Sequence, residues 1–138
     1  MTTVAAGAPR SRHLAVWIAR PAAEVYEFAA EPANLPLWAG GLAGASVEWD
    51  GSAWATDSPM GPVTFTFAPR NELGVLDHDV RLPSGEVVHN PLRVLPYGAL
   101  SEVVFTLRQL PGMSDAELER DAAMVAADLA RLQELLER

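Results

Sequence analysis

The chain has 138 residues, 49% hydrophobic and 20% charged, with 18 acidic against ten basic residues and a formal net charge of -8. No run approaches the roughly eighteen apolar residues of a membrane span, and the acidic balance argues against nucleic acid or an anionic membrane surface as a partner. Cysteine is absent and all ten basic residues are arginines, which excludes disulfides, thiol nucleophiles, cysteine-ligated zinc, Schiff-base chemistry and a phosphate-loop lysine by inventory.

Met1 to Arg12 is small and polar with two late arginines. It lacks the charged start and apolar segment of a signal peptide and reads as a flexible tail ahead of a single domain over residues 13–138, with a cytoplasmic location expected. His13 to Ala19 then alternates, with Leu14, Val16 and Ile18 on one face and Trp17 on the other, the period of a strand. Pro21 suits the first turn of a helix whose buried side is Val25, Phe28 and Ala29, and Pro32 ends it. Asn34 to Trp38 forms a second short helix or turn, closed by Gly40 and Gly41.

From Ala43 onward the pattern is one hairpin after another. Asp50-Gly51 is a two-residue turn signal between Ala45-Val47-Trp49 and Ser52-Trp54-Thr56. Ser58 to Pro62 is a loop, in which Met60 is a candidate lid residue. A turn at Arg70-Asn71 places Phe67 opposite Gly74 and Phe65 opposite Leu76. The loop Pro83-Ser84-Gly85, with Gly85 left-handed, sets Val80 against Val88 and Leu76 against Leu92. A turn at Tyr97-Gly98 pairs Leu92 with Val103, Asn90 with Phe105 and Val88 with Leu107. One face stays apolar through about seven antiparallel strands, an agreement that a one-residue slip would destroy.

Pro111-Gly112 stops the last strand, and Ser114 with Glu117 three residues later is a capping box, with Met113 and Leu118 at the staple positions. Leu118, Ala122, Val125, Leu129, Leu132 and Leu136 then make one apolar stripe along Ser114 to Arg138, roughly 37 Å at 1.5 Å per residue. The layer rule buries that stripe on the chain's own sheet. The fold class is α+β, a curved sheet wrapped around a long C-terminal helix with two short helices after the first strand. A sheet wider than the helix can fill leaves room for a ligand toward Trp38 and the hairpin ends.

Ala19-Arg20-Pro21, Val25-Tyr26, Phe28, Pro32, Asn34-Leu35 and Trp38, with the strand order and terminal helix, resemble the polyketide cyclase/dehydrase and START-like (SRPBCC) superfamily. These are helix-grip proteins related to plant pollen allergens. The resemblance implies the helix-grip fold. On function it implies a range, from lipid carriers and hormone receptors to aromatic-ring cyclases and hydratases, with no shared catalytic set to carry across.

Candidate chemistry therefore comes from the register. His78 and Asn90 face each other on adjacent strands within the apolar face, where a buried polar pair either satisfies itself or addresses a ligand. Asp77, Asp79, Arg81, His89 and Arg93 fall on the outer face as a salt-bridged surface, with Asp79 opposite His89. His78 and His89 lie on opposite sides, which disfavours a metal site. Trp38, Trp54, Phe65, Phe67, Leu76 and Phe105 offer apolar wall for a ligand, and small residues on or flanking the helix stripe, Ala122, Ala126 and Ala130, leave space for one. Trp17 faces outward and marks either a homodimer or partner patch or a surface covered by the tail.

Three functions follow. The first is binding of a hydrophobic or aromatic small molecule at Trp38, Trp54, Phe65, Leu76, His78, Asn90, Phe105 and Ala126, with no cofactor, metal, nucleic acid or membrane insertion. The second is a cyclase/dehydratase-type enzyme with His78 and Asn90 in proton transfer. The third is a protein-interaction module with a closed core.

Overall fold

The computed structural model describes residues 7–40, 46–59 and 61–138, so Ala43, Ala45 and the candidate lid Met60 lie outside the described residues. Strand β1 (Ser11–Ile18) leads to α1 (Ala22–Ala30), a short turn of tighter helix (Pro32–Asn34) and α2 (Leu35–Trp38). The strands β2 (Glu48–Trp49), β3 (Trp54–Ser58), β4 (Gly61–Phe67), β5 (His78–Arg81), β6 (Val87–Asn90), β7 (Leu92–Tyr97) and β8 (Leu100–Arg108) follow, and α3 (Asp115–Leu136) ends the chain. This is the α+β, helix-grip arrangement expected, with the first strand starting two residues before His13.

The strands divide into two antiparallel sheets, β1-β8-β7 and β2-β3-β4-β5-β6, rather than one sheet of about seven. Across the break at Pro91, between β6 and β7, the β5-β6 register nevertheless continues, with Val75 bridging Arg93, and Leu76 N–H donating to the Leu92 carbonyl and Val94 N–H to the Gly74 carbonyl, both at 2.8 Å. Pro91 itself has no N–H to give. Its carbonyl instead accepts from Thr106 N–H at 3.0 Å.

Three expected turns are displaced by even numbers of residues. Phe67 pairs with His78 and Phe65 with Val80, four residues beyond the expected partners. The cause is Asn71, whose Oδ1 accepts from the N–H groups of Leu73 and Val75 at 3.0 Å while Nδ2 donates to the carbonyls of Pro69 and Val75 at 2.9 Å. One side chain thus satisfies a whole loop that a tight turn would have left out. That loop also contains Gly74 at φ +72°, where an added Cβ would lie 2.1 Å from the Val94 carbonyl oxygen. At the last hairpin, Tyr97 pairs with Leu100, which puts Leu92 opposite Phe105 and Val94 opposite Val103. At the first, Trp49 pairs with Trp54, because the Asp50 carboxylate accepts from the N–H groups of Ser52 and Ala53 at 2.8 Å and draws four residues into the loop. Even shifts preserve which face each side chain occupies, so the apolar face survives all three corrections. The hairpin at Pro83-Ser84-Gly85 forms as expected, with Val80 opposite Val88, His78 opposite Asn90 and Gly85 at φ +89°.

Helix α3 begins at the expected capping box: Glu117 N–H donates to Ser114 Oγ, and Ser114 N–H to Glu117 Oε1, both at 3.1 Å. Leu118, Ala122, Leu129 and Leu132 of its stripe are buried. Leu129 and Leu132 join Ile18, Val25, Trp38, Phe65, Leu76, Leu92, Val94 and Val103 in the core. At about 1.5 to 3 kcal/mol for each fully buried aliphatic side chain, that stripe is the main force holding the helix to the sheet. The helix packs on β1, and its end is tied down by Gln133 Nε2 donating to the Trp17 carbonyl at 2.9 Å and by Ala19 N–H donating to Glu137 Oε2 at 2.8 Å.

Candidate functional site

Between β5, β6, the end of β8 and α3 lies an open cleft of about 1050 Å³. Strand alternation supplies one wall, with Val80, Val88, Phe105 and Leu107 on the face turned toward the helix. The α3 wall is Asp121, Met124, Val125 and Asp128, at helical spacing i, i+3, i+4 and i+7, so these four side chains form a stripe beside the buried one. A smaller depression of about 350 Å³ over β2 to β5 is lined by Glu48, Asp57 and Arg81 among others, and none of the expected site residues reaches it.

Of those residues, Asn90 and Phe105 lie in the cleft wall. His78 stands just behind it, half-buried and opposite Asn90 in register, its ring 5.4 Å from that of Phe67 and 6.2 Å from that of Phe105. Its Nδ1 is 3.0 Å from the Leu76 carbonyl oxygen. Because a carbonyl only accepts, Nδ1 carries the proton and Nε2 keeps a lone pair. Burial pushes the His78 pKa below its ordinary value, against the opposing pulls of the Leu76 carbonyl and Asp77. The ring is therefore neutral at neutral pH, the form that accepts a proton.

Phe65 and Leu76 belong to the buried core rather than to the cleft, as does Trp38, whose indole Nε1 is the one buried side-chain polar atom without a hydrogen-bond partner among the described residues. Trp54 is half-buried and packs edge-on against exposed Trp49 at 5.3 Å. Ala126 is exposed, and the expected small-residue gap along Ala122, Ala126 and Ala130 is not what lines the cleft: Ala122 is buried under the sheet and Ala130 is exposed. The helical phase explains this, since the cleft lies on the Asp121 to Asp128 side of the leucine stripe.

Asp121, Met124 and Asp128 are the wall residues that sequence reasoning missed. The signal in the sequence is the spacing of two aspartates around Met124-Val125, one position off the leucine stripe. Asp128 is half-buried, and that burial holds its carboxyl above the ordinary aspartate value, offset by the Gly40 N–H that donates to Oδ1 at 2.9 Å. The same contact, with Arg131 Nε donating to the Leu37 carbonyl at 2.8 Å, pins the end of α2 to α3.

The outer face carries the expected ion pairs. Asp79 Oδ1 is 2.6 Å from His89 Nδ1, and Arg93 makes two bonds of 2.8 and 2.7 Å to Asp77. Those bonds hold the Asp77 carboxyl below its ordinary value. Among the described residues no three His, Asp or Glu side chains are grouped to hold a metal ion, and no helix is long and apolar enough to cross a membrane. Outward-facing Trp17 meets Tyr97 edge-on at 5.6 Å, both exposed.

Comparison with known folds identifies the architecture. An uncharacterised Bacillus thuringiensis protein superposes with a TM-score of 0.72 at 14% identity, over 92% of this chain and 98% of that one. The aromatase/cyclase Zhui from a Streptomyces species superposes with a TM-score of 0.70 at 14% identity, over 94% of both chains. The di-domain aromatase/cyclase BexL gives 0.68 at 17% identity, over 91% of this chain and 45% of its own length. No protein-family model matches the sequence, and no curated protein does. The chain thus has the helix-grip fold seen in polyketide cyclase-like proteins.

Proposed function

We propose that the chain binds a hydrophobic or aromatic small molecule in the cleft between the β5-β6 hairpin, β8 and α3. The observation that carries this reading is the cleft itself, about 1050 Å³ with Val80, Val88, Phe105, Leu107 and Val125 in its walls. That is the upper end of the size range for small-molecule sites, with the apolar lining and few polar groups such sites have. A closed-core interaction module fits that opening poorly. The aromatase/cyclase neighbours handle small molecules by their names, which supports the reading at the level of fold. Native mass spectrometry of the protein purified from its source tests it. A copurifying hydrophobic molecule, displaced by Val88→Trp filling the cleft, is the expected result; a ligand-free protein that also binds no apolar dye overturns it.

A second reading, a cyclase/dehydratase-type enzyme, is favoured by one observation: His78 lies opposite Asn90 with Nε2 free of the Leu76 carbonyl and its pKa lowered by burial. Such a histidine accepts a proton while an amide orients a carbonyl oxygen. Turnover that falls on the acid side and is lost in a folded His78→Gln variant would establish it; binding without turnover leaves the carrier.

A further inference from the structure

The inward-facing charges of the cleft are of one sign. Asp121 and Asp128 stand seven residues apart on α3, about 10.5 Å along its axis, with Met124 and Val125 between them. The opposite wall turns Val80, Val88, Asn90, Phe105 and Leu107 toward the helix, none of them charged. His89 and Arg108 also border the cleft, but they occupy the alternate strand positions of the outer face. There His89 pairs with Asp79 at 2.6 Å, and Arg108 is exposed at the end of β8. His78, behind the wall, is neutral for the reason given above. Asp121 makes no hydrogen bond or ion pair among the described residues, and Asp128 is met only by the Gly40 N–H at 2.9 Å. Among the described residues neither carboxylate is paired with a cation.

We infer that Asp121 and Asp128 act as a charge filter, so that the cleft admits uncharged or cationic hydrophobic molecules and turns away those carrying a carboxylate or sulfonate. An anion seated between the two would lie within about one Debye length, roughly 8 Å, of both carboxylates, in a partly water-excluded site where screening is weakest. The shift of Asp128 accords with this, since burial already disfavours a charge there. The inference rests on the cleft-binding reading and adds to it which ligands are excluded.

The test is a pair of dyes sharing one arylamine skeleton, neutral N-phenylnaphthylamine and its sulfonated counterpart anilinonaphthalene sulfonate. Both are titrated by fluorescence at low salt and about pH 8, well above the ordinary carboxylate range. The expected result is about tenfold tighter binding of the neutral dye, with the ratio of the two dissociation constants shrinking to about twofold in the Asp121→Asn, Asp128→Asn double variant. If loss of the Gly40 contact prevents that variant from folding, Asp121→Asn alone narrows the ratio about threefold, because Asp121 supports no other contact. Equal affinities in the wild type, or a ratio that the substitutions leave unchanged, overturn the filter while leaving cleft binding intact. If neither dye binds, the cleft-binding reading fails and the filter with it.

Discussion

The two sheets meet α3 in different ways. Against β1-β8-β7 the contact is dry: Ile18, Val94, Val103 and Leu132 are all at 0% exposure and Leu129 is at 2%. Against β5 and β6 the same alternation of apolar residues leaves Val80 and Val88 half-covered, with the cleft between strand and helix. The difference arises on the helix. Its C-terminal half presents Leu129 and Leu132 to the sheet, whereas the stretch facing β6 presents Asp121, Met124, Val125 and Asp128. Alternation in a strand decides which face is apolar; the partner's residues decide whether that face is filled.

The widest split between the two regions comes from truncating one residue in each. Leu132→Ala leaves a void in close-packed surroundings and costs about 4 kcal/mol of unfolding free energy, while Val88→Ala borders existing space and costs about 1 kcal/mol or less. Denaturant unfolding of the two variants checks this, and similar losses would mean that the cleft closes in solution. Next in size is Ser114→Ala, which removes the acceptor for Glu117 N–H and lowers stability by about 1 kcal/mol. It loosens the first turn of α3 beside Met113 in the cleft wall, so dye binding should weaken along with stability.

The smallest effect lies on the other side of the comparison. Because His78 has its pKa lowered in the fold, the unfolded chain binds a proton that the folded chain does not. Stability is therefore complete above the ordinary histidine value of 6.5 and declines as pH falls from there through the folded pKa. His78→Phe should flatten that slope, as measured by urea midpoints at a series of pH values. An unchanged slope would place its origin in other groups.

Elements whose determinants are local could be read directly. The Ser114-Glu117 box marked the start of α3, and the stripe from Leu118 to Leu132 marked its buried side. The apolar face of the meander was readable because every misplaced turn was wrong by an even count. Turn positions themselves depended on side chains, Asp50 and Asn71, that enlarge loops by bonding to backbone several residues away, which dipeptide signals do not encode. The site was only partly readable. Asn90 and Phe105 reach the cleft wall by strand parity, whereas Ala126 lies outside it, because the phase between two stripes on one helix depends on how α3 is rotated over the sheet. Trp38, Phe65 and Leu76 sit in the core beside the cleft, since an inward direction does not distinguish core from cleft.

The pairing of the first and last strands bears on how the chain folds. Ser11 lies opposite Arg108 and Ile18 opposite Ser101, so β1 must wait through most of the sequence for its strand partner among the described residues. The hairpins from β3 to β6 close over short loops and can form early, while each β1-β8 contact requires the ends of the chain to meet, an entropic cost that slows folding. During synthesis β1 leaves the ribosome as an unpaired strand carrying Leu14, Val16, Trp17 and Ile18, long before β8 and α3 are made. Completion of α3, which packs on β1, is then the step that covers this apolar strand of the nascent chain.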